Sequence, residues 1–440
     1  MNRPAAFRLF RPRAVRQAGW RVLSTTAASE HEQLDLPERA QCVIVGGGVI
    51  GASVAYHLAK DGWTDVVLVE QSKITSGTTW HAAGLVGMLR GTETETKLSM
   101  YGRELYMSLE AETGLSTGFK ACGSISLATC EERMDLYRRN VSRAGAFGVE
   151  AKLISPEECG ERMGGVIRTD DLVGGVWLPM DGSADPTMVT NSMLKGARQQ
   201  GVRVFEDCRV TGIETLSGRV AGLKTAQGHT IKTNHVVNCA GQWARQLGNL
   251  AGVTVPLHSA EHFYLTTRAI EGITTDTPVL RDPDAYNYYR EWSGGLLVGG
   301  FEPECKPIWS AGVPDDFAFS LLDFDWEQFD PLMQTALERV PALIETEVHT
   351  LVNGPESFTP DNSYVLGEAP NLTGFFVAAG MNSSGIASAA GVGKALSQWM
   401  TAGNSDMDLW TVDIRRFGKF HANPEFLRTR YDACGINRPF

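Results

Sequence analysis

The 440-residue chain carries 40 Lys and Arg against 51 Asp and Glu, a formal charge of −11, and 43 % of its residues are hydrophobic. That length and apolar content support a large core spread over more than one domain, and the acidic balance excludes the clustered basic surface that nucleic-acid binding needs. No apolar run reaches the roughly 18 residues of a membrane-spanning helix, so no membrane span is expected.

Residues 1–29 hold six arginines (Arg3, Arg8, Arg11, Arg13, Arg16 and Arg21), no Asp or Glu, and end in Ser24, Thr25, Thr26 and Ser29. This is the composition of a mitochondrial transit peptide. Its removal would take the formal charge from −11 to −17. The eight cysteines show neither a CxxC nor a paired Cys/His spacing, which argues against a disulfide framework or a zinc site. Free thiols fit a reducing compartment, and the mitochondrial matrix is the expected location.

From residue 41 the pattern is a β-α-β unit. An apolar strand, Cys42 to Val45, runs into Gly46, Gly48 and Gly51, and a helix follows in which Ala52, Val54, Ala55, Leu58 and Ala59 recur at helical spacing. A second strand over 66–69 leads to Glu70, 19 residues past Gly51. Gly46 permits the tight turn, Gly48 lets the backbone approach a pyrophosphate, and Gly51 lets helix and strand pack closely. The helix N-terminus offers unpaired N–H donors. Glu70 is placed to accept from ribose hydroxyls and disfavours a 2′-phosphate.

Helices are expected over 93–112 and 131–144 with a strand-like run at 123–129 between them, then a helix over 186–200 and short strands at 202–205, 210–215 and 219–225. A strand over 236–241 ends in Gly241. Residues 256–302 turn to aromatic-rich strands (HFYLTT, YNYYREW, GLLVGGFE), which read as an antiparallel sheet with one face towards a ligand. A helix over 326–339, a strand over 374–380 and a helix over 385–400 complete the pattern. The last helix is opened by a second glycine cluster, 380–393, and its N-terminus suits negative charge developing on a reduced flavin. A nicotinamide-binding domain would continue after Glu70 with further βαβ units. Here a Ser/Thr/Gly-rich loop, 75–85, follows instead, and two far-apart glycine turns point to FAD rather than NAD.

Four stretches, TSGTTWHAAGL (75–85), VVNCAGQWA (236–244), VNGPESFTPD (352–361) and DIRRFGKF (413–420), resemble the D-amino-acid-oxidase-like flavoproteins, and within them the mitochondrial sarcosine and dimethylglycine dehydrogenases. The resemblance implies an α/β chain with a Rossmann-like FAD-binding domain (40–95, 179–255 and 346–402) interleaved with an antiparallel-sheet substrate domain (96–178 and 256–345), then an extension, 403–440. It implies covalent attachment of the flavin through His81. Further cofactor contacts are expected from Ser76, Gly77 and Thr78, from Val210 beside the adenine, from Gly241 and Trp243, and from Ser383, Ser384, Gly385 and Ile386 at the flavin-facing helix start.

The implied reaction takes a hydride equivalent from the N-methyl carbon of an N-methylated glycine, sarcosine in preference to dimethylglycine, and passes the electrons to an electron-transfer flavoprotein. His262 and Tyr264 are the candidate catalytic residues, with Arg290 as partner of the substrate carboxylate. Family members continue into a folate-binding half, and DIRRFGKF stands where that half begins, so tetrahydrofolate is not expected on these residues. The regulatory subunit of pyruvate dehydrogenase phosphatase shares the architecture, and EHFYL (261–265) and GMNS (380–383) resemble it. That subunit lacks the linking histidine, whereas this chain keeps His81.

Overall fold

The computed structural model describes residues 34–434; the expected transit segment lies outside them. The body from Leu36 onwards is built on two sheets. The first has six strands in the order Val365–Glu368, Phe375–Ala379, Val236–Asn238, Cys42–Val45, Val66–Val69 and Arg203–Phe205. All its pairings are parallel except that of the outer strand Val365–Glu368. The four central strands are buried along their whole length, which is why they read as unbroken apolar runs rather than alternating ones.

Helices Val49–Lys60, Glu93–Thr113, Pro186–Gln199 and Gly385–Ala402 pack together in one apolar cluster with this sheet. Their ends follow from local chemistry. Thr92 and Asp185 cap N-termini through their side chains, Pro186 takes the first turn, and Gly114 and Gly403 stop helices at positive φ. Small residues let the helices approach closely: a Cβ on Gly391 would sit 2.3 Å from the carbonyl oxygen of Leu98.

The second sheet has nine strands. Val348–Phe358 and Gly295–Gly300 flank His258–Thr267, and Asn287–Trp292, Val279–Asp282, Ser124–Ala128, Gly174–Leu178 and Lys152–Ile154 follow outward from Gly295–Gly300; Pro307–Ile308 adds a short pairing to His258–Thr267. The expected antiparallel sheet is thus mixed, since Val279–Asp282 runs parallel to Ser124–Ala128. The two strands come from chain segments far apart in sequence, so no hairpin imposes the antiparallel sense at that seam. A further difference is Val348–Phe358, which lies within the segment expected in the FAD-binding domain yet pairs with His258–Thr267 in the second sheet. Gly354-Pro355 hides it as a strand, and Pro355 is tolerated because, among the described residues, the strand pairs along one side only.

Helix Trp326–Arg339 covers one face of this sheet, where Phe329, Leu332 and Ala336 pack among Phe263, Leu265, Tyr289 and Val298. Strand alternation then sends His262, Tyr264, Tyr288 and Arg290 to the opposite face. No helix of the described residues is long and apolar enough to cross a membrane.

Candidate active site

One cavity of about 480 Å³ runs between the two sheets, lined at one end by Gly46, Gly48 and Glu70 and at the other by Ser383, Ser384, Gly385 and Ile386. His81, Val210, Gly241 and Trp243 line it as well. The two glycine turns therefore serve a single elongated space.

At the first end the backbone leaves no room for side chains. Gly46 has φ +117°, and a Cβ on it would lie 2.3 Å from the carbonyl oxygen of Cys239. A Cβ on Gly51 would lie 1.9 Å from that of Gly46, so Gly51 serves close packing and does not itself line the cavity. Glu70 accepts from the backbone N–H groups of Gly47 (2.7 Å) and Ser72 (2.9 Å) while lining the cavity. It braces the glycine turn as well as facing the ligand space. A pyrophosphate and ribose fit this cradle: a bare glycine turn at a helix N-terminus with a carboxylate beside it.

Thr78 and Gly77 line the cavity, and Gln242 ties Thr78 to the second sheet by donating to its hydroxyl (3.0 Å) and to the carbonyl of Pro355 (2.8 Å). Ser76 is buried off the cavity and its carbonyl accepts from Phe319 N–H (2.9 Å). At the far end Asn382 and Ser383 both have positive φ, a conformation rare outside glycine. It is held by Glu356, which accepts from the Ser383 N–H (2.9 Å) and hydroxyl (2.6 Å), and by Asn382, which accepts from Thr359 N–H (2.9 Å). This turn aims the start of helix Gly385–Ala402 into the cavity.

His81 closes the short 3₁₀ turn Thr78–His81 and packs edge-on against Trp80, ring centroids 5.4 Å apart. Its ring lies over strand Val348–Phe358 so closely that a Cβ on Gly354 would come within 2.4 Å of Nδ1. Burial, with the nearby His262 adding to it, lowers the His81 pKa to about 4. The imidazole is neutral at physiological pH, the form that is nucleophilic.

His262 tends the other way. Burial works against its charge, but the charge and hydrogen bond of Glu302 together with the charge of Glu356 raise the pKa. His262 Nδ1 donates to one Glu302 oxygen (3.1 Å), and Phe263 N–H donates to the other (3.0 Å). The cavity thus holds two histidines of opposite tendency, one kept neutral and one favouring its proton. Tyr264 also lines the cavity, its phenol pushed up to about 12 by burial against the opposing pull of Arg290, and so remains a hydrogen-bond donor.

Arg290 does not line the cavity. It is buried over the ring of Trp292 (4.9 Å) with its Nε unpartnered. The cavity-lining guanidinium groups among the described residues belong to Arg90, Arg209 and Arg281, and Arg209 is ion-paired to Asp315. Arg281 stands opposite cavity-lining Tyr288 in the strand register, and Arg90 Nε donates to the Ser99 hydroxyl (3.4 Å). Sequence reasoning missed Arg90, Arg281, Glu302 and Glu356. Of these only Glu356 carried a signal, lying within the PESFTPD motif.

A glycine turn and helix start feeding a long cavity, closed by a second sheet bearing ionisable side chains, define a flavoprotein oxidoreductase of the D-amino-acid-oxidase-like fold. The chain belongs to the FAD dependent oxidoreductase family, whose model matches residues 41–399; that of the FAD dependent oxidoreductase central domain matches 402–433.

Among its relatives, the mitochondrial pyruvate dehydrogenase phosphatase regulatory subunit of Mus musculus is 40 % identical over 94 % of this chain and 47 % of its own length. Mitochondrial sarcosine dehydrogenase of Homo sapiens is 41 % identical over 92 % of this chain and 44 % of its own. The crystal structure of L-proline dehydrogenase from P. horikoshii superposes with TM-score 0.78 at 27 % identity, covering 87 % of this chain and 98 % of that one. The chain spans about half the length of the curated relatives it matches.

Proposed function

We propose that these residues form the amine-oxidising part of a mitochondrial flavoprotein that demethylates a small N-methyl amino acid, N-methylglycine in the first instance, to glycine and formaldehyde. The observation that carries this reading is the convergence of His81, His262 and the Arg90/Arg281 pair on the one cavity that joins both glycine turns. When bound, FAD supplies a two-electron acceptor, and buried, neutral His81 is the residue that would tether it. Arg90 and Arg281 bind the substrate carboxylate, since a buried carboxylate needs a cationic partner. His262, held by Glu302, orients the amine and exchanges its proton, and the aromatic wall of Tyr264, Tyr288 and Phe301 excludes water. Electrons leave to an electron-transfer flavoprotein in the matrix, and the one-carbon product is not captured on tetrahydrofolate by these residues.

The test is turnover of the purified protein across methylated glycines with an artificial acceptor, beside acid denaturation of wild type and His81→Ala. Flavin should stay with the wild-type polypeptide in acid and leave His81→Ala, with strongly reduced turnover. Tethering that survives His81→Ala removes the assignment. A second reading, a catalytically idle regulatory subunit, is favoured by the similarity to the phosphatase subunit. Flavin-loaded protein inert towards every N-methyl amino acid would select it.

A further inference from the structure

Strand register brings a second histidine beside His81. His262 stands directly opposite Gly354 where His258–Thr267 pairs with Val348–Phe358. Side chains of residues so opposed leave the same face of a sheet, with Cβ atoms roughly 5 Å apart. Gly354 has none, and the ring of His81 takes the space: a Cβ there would lie 2.4 Å from Nδ1 and 2.7 Å from Cε1. His81 therefore occupies the place of a cross-strand neighbour to His262, and both line the cavity.

Each ring is held by a different part of the fold. Gln242 fixes the turn that ends in His81, donating to the Thr78 hydroxyl (3.0 Å) and to the carbonyl of Pro355 (2.8 Å), the residue after Gly354. Glu302, buried, takes Nδ1 of His262 (3.1 Å) with one oxygen and Phe263 N–H (3.0 Å) with the other. A ring oriented through one nitrogen exchanges protons through the other, and the carboxylate behind it stabilises the cation that forms. His81, neutral through burial, still carries one N–H, and that proton must leave when its other nitrogen bonds to carbon.

We propose that His262, backed by Glu302, accepts this proton during covalent attachment of the flavin to His81, a self-modification distinct from amine oxidation. This rests on the reading of His81 as the tether and adds the residue that lets the bond form. In the step, a nitrogen of His81 bonds to the methyl carbon of the flavin's benzenoid ring. That carbon loses one C–H hydrogen and His81 its N–H hydrogen, both as protons, the second to His262. The two electrons released at the carbon pass to the flavin ring, and dissolved dioxygen removes them with two protons as hydrogen peroxide.

The experiment takes the full chain, produced flavin-free, and incubates it with saturating FAD in air. Non-covalent FAD affinity is read from flavin fluorescence, and attachment from the rate at which acid-stable flavin accumulates on the polypeptide. Against wild type, His262→Ala should attach flavin roughly 100-fold more slowly, the scale of a lost general base. Glu302→Gln should slow attachment about tenfold, a smaller share of the same proton transfer. Gly354→Ala, whose methyl displaces the His81 ring, should bind FAD without attaching it. Added imidazole should restore part of the rate in His262→Ala and none in Gly354→Ala, a rescue that a merely structural role would not give.

The role of His262 is overturned if His262→Ala or Glu302→Gln attaches flavin at the wild-type rate, or if imidazole leaves the slow rate unchanged. It is overturned too if neither variant can be saturated with FAD, since the pair would then build the site rather than move a proton in it. Wild type that never attaches flavin removes the reading of His81 as tether. Wild type and His262→Ala attaching flavin equally fast leave that reading standing and remove the inference alone.

Discussion

The two ends of the cavity are built by opposite means. The end at the parallel sheet is made of backbone: Gly46 and Gly51 have no space for a Cβ, and the carboxylate of Glu70 is spent largely on N–H groups of the turn itself. The end at the mixed sheet is made of ionisable side chains in pairs, His262 with Glu302 and Arg90 beside Arg281. A ligand's phosphates need geometry, which backbone supplies rigidly. Its reacting atoms need tuned protons and charges, which only side chains supply.

Breaking the backbone end should cost most. Gly51→Ala drives a methyl into the carbonyl of Gly46, and an overpacked site of this kind loses roughly 3 kcal/mol. Denaturant titration should show that loss, with flavin retention falling alongside it.

The helix layer behind that end is sensitive to acid. His57 is buried, its Nδ1 donating to the Ser53 carbonyl (2.8 Å), and burial holds its pKa at about 4. The unfolded chain takes up this proton at a higher pH than the folded one. The contribution is therefore intact above about pH 6.5 and is lost as pH falls from there towards 4, by up to ~3 kcal/mol. His57→Gln should flatten that acid limb in unfolding measured from pH 7 to 5.

At the substrate end the sign reverses. The folded pKa of His262 is raised, so its pairing with Glu302 is complete below about pH 6.5 and is lost as pH rises through the higher folded value. Glu302→Gln should abolish that alkaline step, move the pH profile of kcat/KM to lower pH and cost about 2 kcal/mol, the scale of a hydrogen bond to a charged group. An unchanged profile would show that Glu302 does not position His262. The smallest effect belongs outside both ends. Lys73 pairs with Asp207 (2.6 Å) on the open surface, and Lys73→Ala should change stability by less than ~0.5 kcal/mol.

The same contrast explains what could be read in the chain. The strand, glycine turn, helix and acid from Cys42 to Glu70 are consecutive, and each residue type there answers a local steric demand, so they were legible. His262 and Tyr264 were named from the family resemblance, and both line the cavity because alternation along their strand sends them to one face. Arg290 shares that face, yet the cavity wall stops short of it. Glu302 reaches His262 from 40 residues away and Glu356 reaches Ser383 across 27, and no periodicity links those positions. Strand Val348–Phe358 was obscured by its own Gly-Pro pair.

The order of residues determined the cofactor class and the element pattern, and the resemblance it carries singled out His81, whose neutrality burial then supplies. Steric limits on backbone act over a few neighbours, and so they leave their mark in adjacent letters. Tertiary structure alone decided which charges meet: the mixed seam of the second sheet, the Arg90/Arg281 wall and the partner of His262. Pairing between charges depends on strand register and burial, and these exist only once distant segments have packed.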